Sequence, residues 1–483
     1  MKKITLPFLC LSFISLAQVQ IGQNINGDSE TDRFGVSVSI SSDGTIIAIG
    51  SDFDDGNGFN SGSVSMYQNV NDIWVQQGTK IDGEAEFDAS GIVTTLSSDG
   101  TKVAISAFGN DGNGDRSGHV RVFEFQNNTW TQLGADLDGE NELDFFGRST
   151  ALSSDGSILA IGSTDNDANG QNAGHVKIYQ YQGTSWTQIG NTINGSEAFE
   201  RFGNSVSLSS DGTILAVGAT GTFAKTRIYE LQGTNWVQLG SNIDNEALND
   251  QSGQSVSLSS DGSRVAIGAP LNDGNGDASG HVRVFEFQNN IWTQLGTDID
   301  GEAADDRSGF SVSLSADGTI VAIGARFNDG NASDAGHARV YTLENNTWTQ
   351  LGTDIDGNVL EDNFGTNLAL SGDGTTVVIG ALNNDANGIN SGQVQVFDLT
   401  DPLSVDEFQN TSFQLYPNPT KNQFTIQLKD TSKLETVTIY NTLGQVVLTS
   451  EELIVNTSAL ASGTYIVEIQ TTQGKASKKL IIE

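Results

Sequence analysis

Between residues 18 and 400 the chain is written in short runs of alternating apolar and hydroxyl residues, and the runs return at a fixed interval. In FGNSVSLSSDGTILAVGA, Phe202 to Ala219, the segment Ser205 to Leu208 alternates with period two, as a half-covered strand does. Asp211-Gly212 supplies a hairpin turn, and the apolar run that follows reads as a strand covered on both faces. The β-branched and aromatic stretch HVRVFEF, found at His119 and again at His281, predicts a third strand. WTQLG with the isoleucine after it predicts a fourth. No stretch of the unit sustains a helical period.

The interval is regular enough to count. Tryptophans stand at 74, 130, 186, 236, 292 and 348, spaced 56, 56, 50, 56 and 56 residues apart. Gly35, Gly91, Gly147, Gly203, Gly253, Gly309 and Gly365 keep the same intervals and open seven units. Four short strands per unit, an aromatic marker and a period near 50 residues predict a β-propeller blade. A linear solenoid is the rival, but its coils are shorter. The expectation is an all-β chain with a seven-bladed β-propeller over 18–402.

One copy of the marker lacks its tryptophan: QVQIG, Gln18 to Gly22. One period before Trp74 is position 18, and one period after Trp348 is position 404, where DPLSVDEF shows no fourth strand. Residues Gln18 to Ile25 are therefore predicted to complete the last blade by pairing with Val394 to Leu399, which leaves no open sheet edge.

These units resemble FG-GAP repeats, the propeller units of integrin α-chains. The matching pairs are Phe34-Gly35, Phe146-Gly147, Phe202-Gly203 and Phe364-Gly365, with Gly268-Ala269-Pro270 as the full second element. Serine replaces the phenylalanine in three units. The resemblance implies calcium between the first two strands, but here that loop is only SSDG or a variant, so the family's site is not carried over.

After Pro402 the repeat stops. A linker over 403–412 leads to FQLYPNPTKNQFTIQL, VTIYNTLGQVV and SGTYIVEIQTTQGKASKKLIIE, alternating strands sufficient for a small Ig-like β-sandwich over 413–483. This region resembles the C-terminal sorting domain of the type IX secretion system. The resemblance rests on Tyr416-Pro417-Asn418-Pro419, Leu443-Gly444-Gln445, Ser462-Gly463-Thr464-Tyr465 and Lys478-Lys479-Leu480-Ile481. It implies the type IX machinery as a partner, and release from the cell or attachment to its outer surface.

The opening MKKITLPFLCLSFISLAQ reads as a signal peptide over 1–17, too short in its apolar run for a transmembrane span. The one cysteine, Cys10, lies within it, without the small residue before it that a lipoprotein signal has. The mature chain then has no thiol chemistry. With 60 acidic against 23 basic residues the net charge is −37, which sets nucleic acid and anionic membrane aside as partners. The inter-blade loops and the loops after the second strands hold 35 of the 60 acidic residues, all on one end of the ring in an up-and-down blade.

Oxygen ligands at alternate positions make three of these loops candidates for calcium: Asp111, Asn113 and Asp115; Asp165, Asp167 and Asn169; Asp273, Asn275 and Asp277. Ordinary hairpin turns use the same residues. His119, His175, His281 and His337 share one repeat position and are expected to be structural, as are the tryptophans. The fourth unit lacks about six loop residues and places Lys225 on the acidic rim.

No sialidase-type Asp-box, nucleophile elbow or Gly-rich phosphate loop occurs, and an enzyme needs asymmetric groups around one bond. The expected function is a monomeric, non-enzymatic adhesion or ligand-binding module for an extracellular glycan or protein, with no cofactor beyond candidate calcium. A polysaccharide hydrolase or lyase and a structural surface component are the alternatives.

Overall fold

The computed structural model describes residues 18–400 except 223, and residues 413–482 except 429–432, 442–445 and 472–473. The predicted signal and linker fall outside the described residues, as does Gly444. The chain divides into two compact units, Met1–Thr400 and Asp401–Glu483. Every regular element among the described residues is a strand.

The first unit is built of seven antiparallel sheets of five strands each. In the first sheet Ser37–Ile40, Ile46–Ser51 and Ser63–Asn69 pair in order, and two short strands, Trp74–Gln76 and Ile81–Asp82, both lie along the third. The predicted single fourth strand is thus broken in two. Gly78 at the break has φ 76°, a left-handed conformation that interrupts the ladder and that side chains disfavour. A Cβ there would stand 3.0 Å from Cδ1 of Trp130 in the next sheet.

The break is a seat for the neighbouring tryptophan. Trp130 Nε1 donates to Gln77 O at 3.0 Å, and Trp186, Trp292 and Trp348 donate to Leu133, Leu239 and Leu295 carbonyls at 2.8, 2.9 and 2.8 Å. Each indole therefore fills the gap between sheets and satisfies a carbonyl that the broken ladder leaves unpaired. The tryptophans are packing groups, as expected.

The sheets close into a propeller. Innermost strands of successive sheets pack side by side, and Phe364–Leu370 of the last packs on Ser37–Ile40 of the first. Around the channel Ser42 N donates to Ser98 O, Ser98 N to Ser154 O, Ser154 N to Ser210 O, and so on through Ser260, Ala316 and Gly372, at 2.8 to 2.9 Å. Asp373 N returns to Ser42 O at 3.4 Å.

The seam lies where the spacing put it. Val19 pairs with Asp398, Gln20 with Phe397, Ile25 with Val394 and Asn26 with Gln393. Gln18 occupies the missing tryptophan's position, and its Nε2 donates to Leu351 O at 2.7 Å. A side-chain amide thus performs the indole's hydrogen bond at the one junction made by the chain's first described residue.

The second unit has two antiparallel sheets. Phe413–Tyr416, Gln423–Leu428 and Ile454–Asn456 form one; Leu434–Tyr440, Val446–Ser450, Gly463–Thr471 and Gly474–Ile482 form the other. Phe413, Phe424 and Ile426 from the first meet Val437, Ile439, Val467 and Leu480 from the second in one core, which makes a β-sandwich.

Candidate functional site

The channel has two unlike ends. At the turn end a 170 Å³ space is lined by the serines of the SSDG turns, Ala316 and Gly372, and by Ile40 and its leucine counterparts, with no charged side chain. These positions are close to invariant from sheet to sheet because the backbone ring and the packing between first strands demand it.

At the loop end the same repeat positions diverge. The residue after the Gly35-type glycine is Val36, Ile92, Arg148, Asn204, Gln254, Phe310 and Thr366 in turn. The residue after each second strand's small-residue end is Asp52, Phe108, Thr164, Thr220, Pro270, Arg326 and Leu382. Two residues before the glycine stand Arg33, Ala89, Phe145, Arg201, Gln251, Arg307 and Asn363, all with positive φ between 50° and 57°. These columns ring the mouth of the channel.

A cavity of about 890 Å³ opens there beside the first four sheets, with Phe53, Phe87, Phe108 and Phe145 in its wall, and with Arg33, Arg116, Arg148 and Arg201 set among Asp52, Asp111, Asp115 and Asp165. Beneath it a 350 Å³ stretch of channel is lined from all seven sheets, and its only charged lining groups among the described residues are Arg33, Arg148 and Arg326. Volume and mixed apolar and polar lining suit a small ligand or the tip of a larger one.

The guanidiniums differ in their partners. Arg33 meets Asp52 at 3.3 Å and lies 4.6 Å over the Phe53 ring. Burial pushes the Asp52 carboxyl up to about 6 against the pull of Arg33. Arg326 stacks on Phe310 at 3.8 Å and on Phe327 at 4.6 Å, and Arg307 lies 4.7 Å over Phe327. The Nε atoms of Arg307 and Arg326 are buried and find no acceptor. Burial, with Arg307 beside it, brings Arg326 down to about 10; burial likewise draws Arg148 down.

The sequence reading singles out Asp111, Asp115 and Asp165 of the cavity wall, as calcium candidates, and none of its phenylalanines or arginines. The available signal was the change of chemistry across units in three columns, which is indistinguishable from neutral drift until the ring brings the columns together.

The acidic count needs correction. Nine of the 35 carboxylates, Asp32, Asp52, Asp54, Asp88, Asp144, Glu200, Asp250, Asp306 and Asp362, are buried and do not face solvent. Most clasp loops: Asp250 accepts from Ala247 N and Asn272 Nδ2, both at 3.0 Å, and Asp306 accepts from Ala303 N at 3.0 Å and Asn328 Nδ2 at 3.1 Å. In the first sheet Asp54 replaces the asparagine, and burial together with Asp54 pushes Asp32 up to about 6. Lys80 answers Asp54 at 2.8 Å.

The calcium candidates lie in loops that hold themselves. Asp111, Asp167 and Asp273 accept from the backbone N–H of Arg116, Asn172 and Ala278 at 2.8, 2.7 and 2.9 Å. Asn113, Asn169 and Asn275 donate across to Gly139, Gly195 and Gly301 carbonyls at 2.7, 2.6 and 2.9 Å. Asp115 lies 3.8 Å from Arg116, and Asp165 4.0 Å from Arg201; Asp277 is exposed. Among the described residues none of the nine joins a group of three histidine or acidic side chains near enough to share an ion.

Such groups form instead at three of the histidines: Glu84, His119 and Asp136; Glu246, His281 and Asp298; Glu302, His337 and Asp354. Each glutamate already meets an arginine, Arg121 and Arg283 at 3.4 Å and Arg339 in close contact, so an added cation would face a guanidinium. Burial lowers all four histidines, His175 to about 4, and keeps them neutral. Lys225 fills the histidine position in the fourth sheet, 3.6 Å from Glu197.

In the second unit Asn418 Nδ2 donates to Lys479 O at 2.7 Å and its Oδ1 accepts from Ile481 N at 2.9 Å. The motif containing Tyr416, Pro417 and Pro419 is thereby fastened to the last strand. Tyr416 itself is 70% exposed. Gly463 pairs with Ile482, the Tyr465 hydroxyl donates to Ala461 O at 2.8 Å, and Lys478 Nζ lies 5.3 Å over the Phe413 ring.

A closed ring of repeated sheets with an individualised mouth, followed in sequence by a small sandwich, defines a β-propeller protein with a C-terminal β-sandwich. Residues 414–483 match the secretion system C-terminal sorting domain, and residues 26–67, 244–285 and 353–397 match the FG-GAP repeat. The chain thus carries FG-GAP repeats and a type IX sorting domain, which marks it for secretion and attachment to the cell surface. No curated protein matches the chain. Among the described residues no helix is long and apolar enough to cross a membrane.

Proposed function

We propose that the protein is a surface-displayed adhesion or ligand-binding module, not an enzyme, and that it engages an extracellular glycan or protein at the loop-end mouth of the channel. The observation that carries this reading is the divergence of the mouth columns within otherwise repeated sheets. Packing accounts for repeated residues; it does not account for Arg33, Phe108, Arg148 and Arg326 standing at positions where other sheets have Ala89, Thr164, Asn204 and Leu382. Exposed and half-exposed aromatic and arginine side chains in a concave site are the usual anchors of recognition.

An array of glycans and surface proteins probed with the full chain tests it. The double change Phe108→Ala and Phe145→Ala removes an edge-to-face pair, rings 5.8 Å apart, from the cavity wall. It should weaken binding at least tenfold while leaving the melting temperature within a few degrees. Binding indifferent to these changes would move the site elsewhere.

One observation favours the polysaccharide hydrolase or lyase alternative: Asp52, in the cavity wall, is held near 6, where a general acid works. Its carboxylate is already paired with Arg33. Turnover of an array hit, abolished by Asp52→Asn, would favour that reading over binding alone.

A further inference from the structure

We infer that the mouth takes a carboxylated sugar, a saccharide bearing one isolated acid group that pairs with Arg326 while its body lies along the channel lining beside Phe310. The inference rests on the proposed reading of the mouth as the binding site. Its starting point is a mismatch of charge. In a chain with 60 acidic and 23 basic residues, the channel below the mouth is lined by three arginines and by no carboxylate.

Among the described residues Arg33 alone of the three is in salt-bridge contact with a carboxylate, while Asp165 acts on Arg148 from farther off and Arg326 has no acidic partner. Arg326 and Arg307 lie over the same Phe327 ring, two like charges side by side, with both Nε–H groups buried and without an acceptor. A buried charged donor left unpaired is costly, and folding alone gives no reason to keep two of them together. Their arrangement is explained if the counter-charge arrives with the ligand, since a guanidinium presents planar paired donors to a carboxylate.

Two further features narrow the class. The rim outside the channel is acidic, and the net charge of −37 repels dense polyanions, so the acid group must be isolated on an otherwise neutral body. The rest of the lining combines Phe310 and aliphatic side chains such as Ile92 and Leu382 with the amides and hydroxyl of Asn204, Gln254 and Thr366, which suit the apolar face and hydroxyls of a sugar ring.

Calorimetry of the full chain with a glucuronic-acid-terminated disaccharide, and with the same disaccharide reduced to the alcohol, provides the test. The acid form should bind at least tenfold more tightly, with an advantage that shrinks as salt is raised. Arg326→Gln should abolish that advantage, Arg326→Lys should keep part of it, and R326Q should melt within a few degrees of the unchanged protein, because the stacking it loses on Phe310 and Phe327 is offset by removal of a half-buried guanidinium whose Nε has no acceptor. Equal binding of acid and alcohol would overturn the inference while leaving the mouth as the site, provided the Phe108 and Phe145 changes still abolish both. Tighter binding of a polyuronate than of the single acid would overturn it as well. So would capture of a peptide through its terminal carboxylate by a protein that ignores both sugars. Array ligands whose binding no mouth substitution alters would instead overturn the reading of the mouth, and this inference with it.

Discussion

The two ends of the channel are made of the same seven strands and obey different rules. At the turn end Ser42, Ser98, Ser154, Ser210 and Ser260 repeat because the backbone ring draws the turns together and leaves room only for small side chains, Ala316 and Gly372 being the exceptions, and because the hydroxyls of Ser98, Ser154 and Ser210 bond in file at 2.9 Å. At the loop end the strands have left that ring, and side chains one residue beyond the common glycine range from Val36 to Arg148 to Phe310. In a repeat protein, what recurs is what closure requires. What departs from the repeat at one place in space is therefore the part free to recognise something else.

The largest effect should come from breaking closure. A chain beginning at Gly27 loses the ladder to Val394 and Phe397, the Ile21 N to Val396 O bond of 2.7 Å and the buried Ile25. Net hydrogen bonds contribute about 1 kcal/mol each and a buried isoleucine about 1.5–3 kcal/mol, so the loss is on the order of 5 kcal/mol or more. It also bares a sheet edge. Calorimetry should show the propeller transition lowered by well over ten degrees, with aggregation on heating. An unchanged transition would mean that the seam contributes nothing.

Much of this was legible before any coordinates. The period placed the seam, because Gln18 stands one repeat before Trp74, and motifs as specific as Tyr416 to Pro419 identified the sorting sandwich. Three things were hidden for physical reasons. The broken fourth strand depends on the left-handed glycine at 78 and its counterparts, and a glycine's φ is not written in its letter. Asp250 and Asp306 looked like surface charge because burial, not residue type, separates a clasp from a rim. The mouth was missed because Arg148 and Arg326 lie 178 residues apart and only the ring makes them neighbours of one channel.

A smaller, local break distinguishes ordinary junctions from the seam. Trp292→Phe keeps most of the ring between sheets but leaves Leu239 O without its 2.9 Å donor. An unsatisfied buried carbonyl costs about 1–3 kcal/mol. Gln18→Leu removes the analogous 2.7 Å bond to Leu351 O at a more exposed junction, and the cost there should be at most about 1 kcal/mol. Denaturant melts of both variants rank the junctions; a larger loss from Gln18→Leu would reverse the argument.

The two ends should also titrate oppositely. At the turn end burial pushes Asp43 up, yet hydrogen bonds from Ser41 and Thr45 outweigh it and hold the carboxyl below its usual 3.8; Asp99, Asp155, Asp211, Asp261, Asp317 and Asp373 behave alike. Their contribution is present above 3.8 and lost as pH falls below it. At the loop end burial holds Asp32 and Asp52 up at about 6, so their contribution is complete below 3.8 and lost as pH rises through about 6. The four histidines that burial keeps neutral oppose this limb, because their contribution is present above 6.5 and lost as pH falls, so the carboxylates are read from variants rather than from the total. The stability that the unchanged protein holds over Asp52→Asn should grow as pH falls from 7 toward about 4, and Asp54→Asn, which restores the asparagine clasp of the other sheets, should lower the pKa of Asp32. A difference between the melting temperatures of the unchanged protein and Asp52→Asn that shrinks from pH 7 to 5 would sink this account.

The smallest expected effect concerns metal. Calcium in the loops of Asp111, Asp167 and Asp273 would have to compete with backbone N–H groups already bound to those carboxylates, and with the Arg116 and Arg201 side chains beside Asp115 and Asp165. The asparagines at the alternate positions turn their amide N–H toward glycine carbonyls, fixing each loop to its neighbour without an ion. The loops are thus held by the same kind of bond that holds the turn end. Chelator should shift the melting temperature by less than about a degree, and isothermal titration with calcium should give no heat of binding beyond dilution. A stabilisation that grows with calcium concentration, as mass action requires of a native-state ligand, would show that these loops rearrange around an ion.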